Sequence, residues 1–253
     1  MNDIWILSGF AFLAGLVDSV VGGGGLIQLP ALLIVFPHTA IAALFGTNKL
    51  ASIAGTSMAV VQYSRQVAIP WQTVLPGAIA AGTFSFLGAH SVQFLSPGLL
   101  RPIILVLLVG VGGYTFLRKD FGSVHRPKLN GRREAIAAIA IDSILGFYDG
   151  FFGPGTGSFL IFAFIGILGF DFLTASASSK VLNWWTNFAA LVAFASAGQV
   201  LYALALPMAV CNIMGSLVGT RLAVLKGNSF VRGLFLAIVS ALIAKLIYDA
   251  LHP

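Results

Sequence analysis

Gly15-Leu-Val-Asp18-Ser-Val-Val-Gly22-Gly23-Gly24-Gly25 lies inside a long apolar run, where neither a carboxylate nor four consecutive glycines belongs. A charged side chain at the centre of a bilayer costs about 2.5–3.5 kcal/mol on insertion scales. Each glycine gives up about 1 kcal/mol of helix propensity relative to alanine. Two such costly features side by side predict a helix that is broken there for a purpose. The stretch recurs as Gly146-Phe-Tyr-Asp149-Gly-Phe-Phe-Gly153-Pro154-Gly155-Thr156-Gly157.

The recurrence has one register. Asp149 and Asp18 are 149 − 18 = 131 positions apart, and the same offset pairs Gly15 with Gly146, Gly22 with Gly153 and Gly24 with Gly155. It also pairs Lys49 with Lys180, Pro76 with Pro207, Gly88 with Gly219 and Arg101 with Arg232. Matched glycines alone mean little in a chain with 29 of them. An Asp, a Lys and an Arg matched at one common offset mark an internal duplication.

Composition sets the solvent. Of 253 residues, 58% are hydrophobic and 9% charged, with a mean hydropathy of +0.97. Soluble domains carry about 25% charged residues, so the chain reads as an all-α polytopic membrane protein. A β-barrel would alternate polar and apolar positions, whereas these apolar stretches are continuous. The single cysteine, Cys211, fits no disulfide within the chain and no metal spacing. Asn2 and Asp3 stand where a cleavable signal peptide has basic residues, so the first apolar run is expected to be retained. The formal charge of +6 is no sign of nucleic-acid binding, because the basic residues fall at the ends of apolar segments.

Windows near the roughly 20 residues needed to span a bilayer divide the chain as follows. Ile4–Val21 breaks at Gly22–Gly25 and resumes as Leu26–Phe36, followed by Leu44–Tyr63, Trp71–Phe94 and Leu99–Leu117. Ala135–Phe152 breaks at Gly153–Gly157 and resumes as Ser158–Phe170, followed by Ala175–Ala197, Val200–Val218 and Phe230–Leu251. Residues 1–117 and 135–253 are then two transmembrane repeats, each a glycine-broken or re-entrant helix pair followed by three transmembrane helices. Residues 118–134 form a basic linker.

Basic loops face the cytoplasm, which places there the linker, the loop at Arg65 and the loop holding Arg221, Lys226 and Arg232. The Ala197–Gln199 and Ser91–Gly98 loops, lacking Lys and Arg, face the other side, with Arg101 an awkward charge just beyond. If each broken pair enters and leaves on one side, the repeats are inverted and both termini are non-cytoplasmic. Inverted repeats with interrupted helices are a recurring architecture of secondary transporters.

Chemistry concentrates on the paired stretches. Glycine breaks expose N–H groups at the start of a short helix, and with the helix dipole these suit an anion. The candidate substrate-binding groups are therefore Gly22, Gly23, Gly24, Gly25, Gly153, Gly155, Thr156 and Gly157. Lys49 and Lys180 each head a polar stripe on one helical face, Ser52 and Thr56 after the first, Asn183 and Asn187 after the second. Lysines at helix ends also snorkel to the interface; the matched stripes favour a site. Asp18 and Asp149, ionised, repel an anion, and three roles stay open for them: capping the loops, pairing with a lysine, or carrying a coupling proton. Trp184 is a candidate cavity wall or interfacial anchor, and Arg221 an edge residue. Asp142 and Lys245 have no charged counterpart and read as local structural residues. The four histidines are scattered singly, and no Walker loop or nucleophile elbow is present, so neither metal, cofactor nor enzymatic chemistry is expected.

Asp18-Ser-Val-Val-Gly-Gly-Gly-Gly25, Gly46-Thr-Asn48-Lys49-Leu and Gly146-Phe-Tyr-Asp-Gly-Phe-Phe-Gly-Pro-Gly155 resemble the TauE/SafE sulfite exporter family, especially its YfcA-like branch. The resemblance covers essentially the whole chain. It implies a bacterial inner-membrane transporter that exports sulfite or small organosulfonates by a proton-linked or uniport route. Ser178-Ser179-Lys180 replaces Thr47-Asn48-Lys49 in the second half, so the half-sites are expected to contribute unequally, with Asn48 the extra donor. The expected partners are a small anion, the lipid bilayer and protons as coupling ion, with a homodimer compatible and nucleic acid excluded. A passive anion channel is the alternative, and a scaffold acting through the linker the weaker third.

Overall fold

In the computed structural model, residues 2–94, 122, 124–126, 128–129 and 131–251 are described, and among these every regular element is helical. The helices are α1 (Asn2–Val21), α2 (Gly25–Val35), α3 (Ile41–Gln66), α4 (Trp71–His90) with a short 3₁₀ turn after it, α5 (Arg132–Phe151), α6 (Thr156–Ala163) continued by a π turn over Phe164–Leu168, α7 (Phe172–Ser196) and α8 (Tyr202–Leu251). α8 is two helices joined at Gly227, whose φ of 67° and ψ of −163° are not helical. The expected segment 99–117 and the charges Arg101, Arg118 and Lys119 lie outside the described residues, as does the side chain of Lys245.

Both breaks fall where the glycines predict. Gly22 and Gly153, the same position in the two halves, have φ of 76° and 95°, a region open to glycine and strained for other residues. Gly24 is ordinary helical backbone, so its missing side chain serves space and not conformation: a Cβ there would overlap the Ala14 carbonyl and the Asp18 side chain. After its break α2 folds back along α1, and Ala31 and Leu32 share a buried cluster with Leu7 and Ala11. α6 likewise folds back along α5, with Phe159 against Tyr148.

The largest helix contacts join one half to the other: α1 with the first part of α8, α4 with α5, α3 with α8 and α4 with α7. They repeat at the 131 offset. Ser85 Oγ donates to the Thr186 carbonyl at 2.9 Å, and Ser216 Oγ donates to the Gly55 carbonyl at 2.7 Å. Gly15 abuts the backbone of Asn212 just as Gly146 abuts that of Ala81, each so closely that a Cβ would overlap a carbonyl. Small residues let helices approach this way without a hydrophobic force between them.

The distribution of polarity is inverted relative to a soluble domain. Thr47, Asn48, Lys49, Asp142, Asp149, Lys180, Asn183 and Asn187 are buried, while Trp5, Ile34, Ile79, Ile144, Val210 and Met214 are more than half exposed. Apolar side chains turned outward in this way suit lipid. Among the described residues Asp3–Val21 and Tyr202–Ile238 are long and apolar enough to cross a membrane by composition alone, and Gly25–Val35 and Thr156–Leu168 are shorter apolar helices. The intervening helices have 20–26 residues and carry their polar groups inward.

One boundary differs from expectation. α5 begins at Arg132, inside the stretch expected as linker, because Gly131 at φ 55° starts the helix there. The described linker residues, though mostly exposed, also bond to the turn after α6. Arg126 N–H donates to Gly169, Lys128 N–H to Leu168 and Lys128 Nζ to the Gly166 carbonyl at 2.5 Å, while the His125 ring stacks on Phe170.

Candidate functional site

The two breaks meet backbone to backbone. Gly22 and Gly157 are in such close contact that a Cβ on either would overlap the other's main chain. The crossing is held by hydrogen bonds from the second half to the carbonyls that end α1: Ser158 N–H to Gly22 at 3.1 Å, Ser158 Oγ to Val21 at 2.9 Å and Ser176 Oγ to Val20. Tyr63 Oη donates to the Ser19 carbonyl at 2.9 Å, and Tyr148 Oη to the Pro154 carbonyl at 2.8 Å. None of these four side chains was singled out by the repeat, because their counterparts, Ile27, Phe45, Phe194 and Val17, carry no such group. A helix end buried without partners is costly, and that requirement was the available signal.

α3 and α7 pass on either side of the crossing and supply the lysines. Each lysine pairs with the aspartate of the opposite half. Lys49 Nζ bonds Asp149 Oδ2 at 2.5 Å, with both side chains 5% exposed. Lys180 Nζ stands 3.4 Å from Asp18 Oδ2 and also donates to the Asp18 backbone carbonyl. Asp18 Oδ1 accepts from the Gly24 N–H at 3.3 Å. Of the three roles left open by the sequence, pairing is seen for both aspartates and capping for Asp18. The crossing of the pairs has a physical cause: an unpaired charge in so dry a place costs several kcal/mol, and the opposite half brings the nearest counter-charge.

Between the breaks and these helices lies a small polar cavity of about 30 Å³, room for one or two waters. It brings together Asn48, Lys49 and Ser52 from α3, Asn183 and Asn187 from α7, Asp18 and Asp149, and the backbone at Gly22, Gly25, Gly153, Gly155 and Gly157. Gly23, Gly24, Thr156 and Lys180 are not in its lining. Lys180 is completely buried, and Thr156 spends its hydroxyl on the Gly153 carbonyl at 2.7 Å. Trp184 lies between α3 and α7, donating from Nε1 to Ser57 Oγ at 2.8 Å and stacking on Phe188; it does not line the cavity.

Fewer N–H groups are free than the glycine count suggests. Leu26, Ile27 and Gln28 bond back to Gly23 and Gly24, and Thr156 and Phe159 to Gly153 and Gly155. The N–H groups of Gly25 and Gly157 belong to first helical turns, which offer no acceptor of their own, and among the described residues nothing else bonds them. Among the described residues the N–H groups of Gly23 and Gly155 also lack an acceptor; Gly25, Gly155 and Gly157 line the cavity, and the buried Oδ1 of Asn48 is likewise unbonded. Among the described residues no group of His, Cys, Asp and Glu is arranged to hold a metal ion.

A helical body with a lipid-suited exterior and a charged, polar centre reached by two broken helices defines a membrane-transporter class of protein. Residues 7–246 match the family model described as Sulfite exporter TauE/SafE. The chain belongs to that family. It is 34% identical over 245 residues to the "Probable membrane transporter protein ORF9" of Sinorhizobium sp, covering 96% of this chain and 92% of that one. It is 35% identical over 245 residues to the "Probable membrane transporter protein YfcA" of Escherichia coli (strain K12), covering 95% and 88%. A "Probable membrane transporter protein" of Haemophilus influenzae is 31% identical over 244 residues, covering 96% and 94%. No solved structure matches.

Proposed function

We propose that this chain is a secondary transporter, an exporter of a small sulfur-containing anion such as sulfite or an organosulfonate, working by alternating access between inverted repeats in the bacterial inner membrane. The observation that carries the reading is the central cavity, lined by Lys49, Asn48, Asn183, Asn187 and the glycines Gly25, Gly155 and Gly157, whose N–H groups lack an acceptor among the described residues. Cationic and neutral donors around a small space suit an oxyanion of a few atoms. The family description supplies the sulfur chemistry.

Helix directions support the inverted arrangement. α3 and the first part of α8 run parallel, since Gly46 meets Gln199 and Gly55 meets Asn212. α4 and α5 also run parallel, through Ala81 with Gly146 and Ser85 with Gly150. With α4 returning after α3, the second half runs opposite to the first. Arg65, Arg132, Arg133 and Lys226 then fall at one end, the end assigned to the cytoplasm by charge.

The crossed ion pairs leave the four central charges summing to zero. Uptake of an anion therefore needs Asp149 to release Lys49, by swinging away or by taking a proton, and protonation makes a proton-linked route natural. A channel needs a continuous wet path, whereas a cavity of about 30 Å³ favours a carrier. Counterflow in proteoliposomes tests this: sulfite on the trans side accelerates labelled sulfite entry through a carrier. Indifference to trans sulfite sinks the carrier reading.

A further inference from the structure

We propose that Asp142 is a proton-binding site in the contact between α4 and α5, outside the cavity described above. Asp142 is completely buried, and neither carboxylate oxygen has a hydrogen-bond partner among the described residues. Asp18 and Asp149 differ in that each has a lysine. The Asp142 carboxylate fills the notch left by Gly77 on α4, where a Cβ would overlap Oδ2.

The repeat supplies an internal control. At the 131 offset the positions of Asp142 and Gly77 are held by Ala11 and Met208, both buried and apolar. This architecture fills the place with hydrocarbon in one half and with a carboxyl group in the other, so packing alone does not require the acid.

Among the described residues, the charged and titratable groups nearby are occupied elsewhere. On α5, Glu134 lies two turns before and accepts from the Thr73 hydroxyl of α4 at 2.7 Å. Two turns after, Asp149 is held by Lys49, and Tyr148 donates to Pro154. α4 carries no charged side chain, and its single histidine, His90, is exposed at the far end. The segment 156–168 has none, and in α7 the one charged residue, Lys180, is held by Asp18. An isolated carboxylate anion in such a place costs several kcal/mol, whereas the neutral acid forgoes only a hydrogen bond. The site therefore holds its proton as a carboxylic acid. α4 belongs to the first half and α5 to the second. If the halves move against each other, which rests on the transporter reading, this contact opens, water reaches Asp142 and the proton leaves to the side then exposed.

An infrared pH titration of the purified protein in liposomes tests the site. The expected result is a carboxylic-acid carbonyl band at the frequency of an acid free of hydrogen bonds, persisting at neutral pH. Asp142→Asn loses it. Asp142→Ala, which copies Ala11, loses it too and serves if the amide is not tolerated. Asp18→Asn and Asp149→Asn retain it. Absence of the band in the wild type, or its survival in both Asp142 variants, overturns the proposal. For the link to transport, sulfite movement is measured with and without an imposed pH gradient. Asp142→Ala is expected to reduce the response to the gradient, and a full response overturns the coupling. Wild-type protein that moves no sulfite fails the transporter reading instead, and the infrared result then stands alone.

Discussion

Lys49–Asp149 and Lys180–Asp18 are the same pair by sequence offset and different pairs in space. The first is tight, at 2.5 Å, with both partners sealed to 5% exposure, and its lysine lines the cavity. The second is loose, at 3.4 Å, with a lysine of 0% and an aspartate of 19% exposure. Its lysine spends a hydrogen bond on the backbone carbonyl of Asp18, and its aspartate caps Gly24. The difference lies in the lysines: Lys49 and both aspartates line the cavity, whereas Lys180 stands outside it and ties a broken helix to its neighbour.

The largest expected effect comes from separating the tight pair. Lys49→Ala leaves Asp149 buried without a counter-charge, and stability should fall by about 3–5 kcal/mol, read as a lower Tm in detergent. The double variant Lys49→Ala/Asp149→Ala should recover most of that loss, and a sum of the two single effects would contradict the pairing. Lys180→Ala should cost less, about 1.5–3 kcal/mol, because Asp18 retains partial solvent and the Gly24 N–H. Equal losses at the two lysines would erase the distinction between the pairs.

The crossing of the breaks comes next. Gly157→Ala drives a methyl group into Gly22 and should destabilise by about 1–3 kcal/mol. Gly25→Ala meets Pro154 at an ordinary 3.4 Å and should be tolerated. Reversed ranking would mean that the breaks do not touch. The smallest effects belong to Ser85→Ala and Ser216→Ala, which remove matched hydrogen bonds worth about 1 kcal/mol each. Similar Tm shifts would show that helix packing kept its symmetry while the centre lost it.

Much of the centre was legible from charge and glycine. Asp18, Gly22, Lys49 and their counterparts stood out because each is expensive in an apolar helix, and the offset tied them together. Pairing across the halves was not legible, since one offset serves equally for Lys49 with Asp18 and for Lys49 with Asp149. Which N–H groups stay free was not legible, because the turns and Asp18 take up those of Gly22, Gly24, Gly153 and Thr156, a matter of local geometry. Ser158, Ser176, Tyr63 and Tyr148 escaped notice because they break the repeat. Docking of the linker through Arg126 and Lys128 depends on main-chain contacts that composition does not encode.

The central claim is that an anion sits beside Lys49 and not beside Lys180. Labelled sulfite counterflow into proteoliposomes holding equal amounts of folded wild type, Lys49→Gln and Lys180→Gln tests it most directly. The account predicts loss of flux at least tenfold greater for Lys49→Gln than for Lys180→Gln, about 1.4 kcal/mol in free-energy terms. Wild-type flux in Lys49→Gln would contradict it.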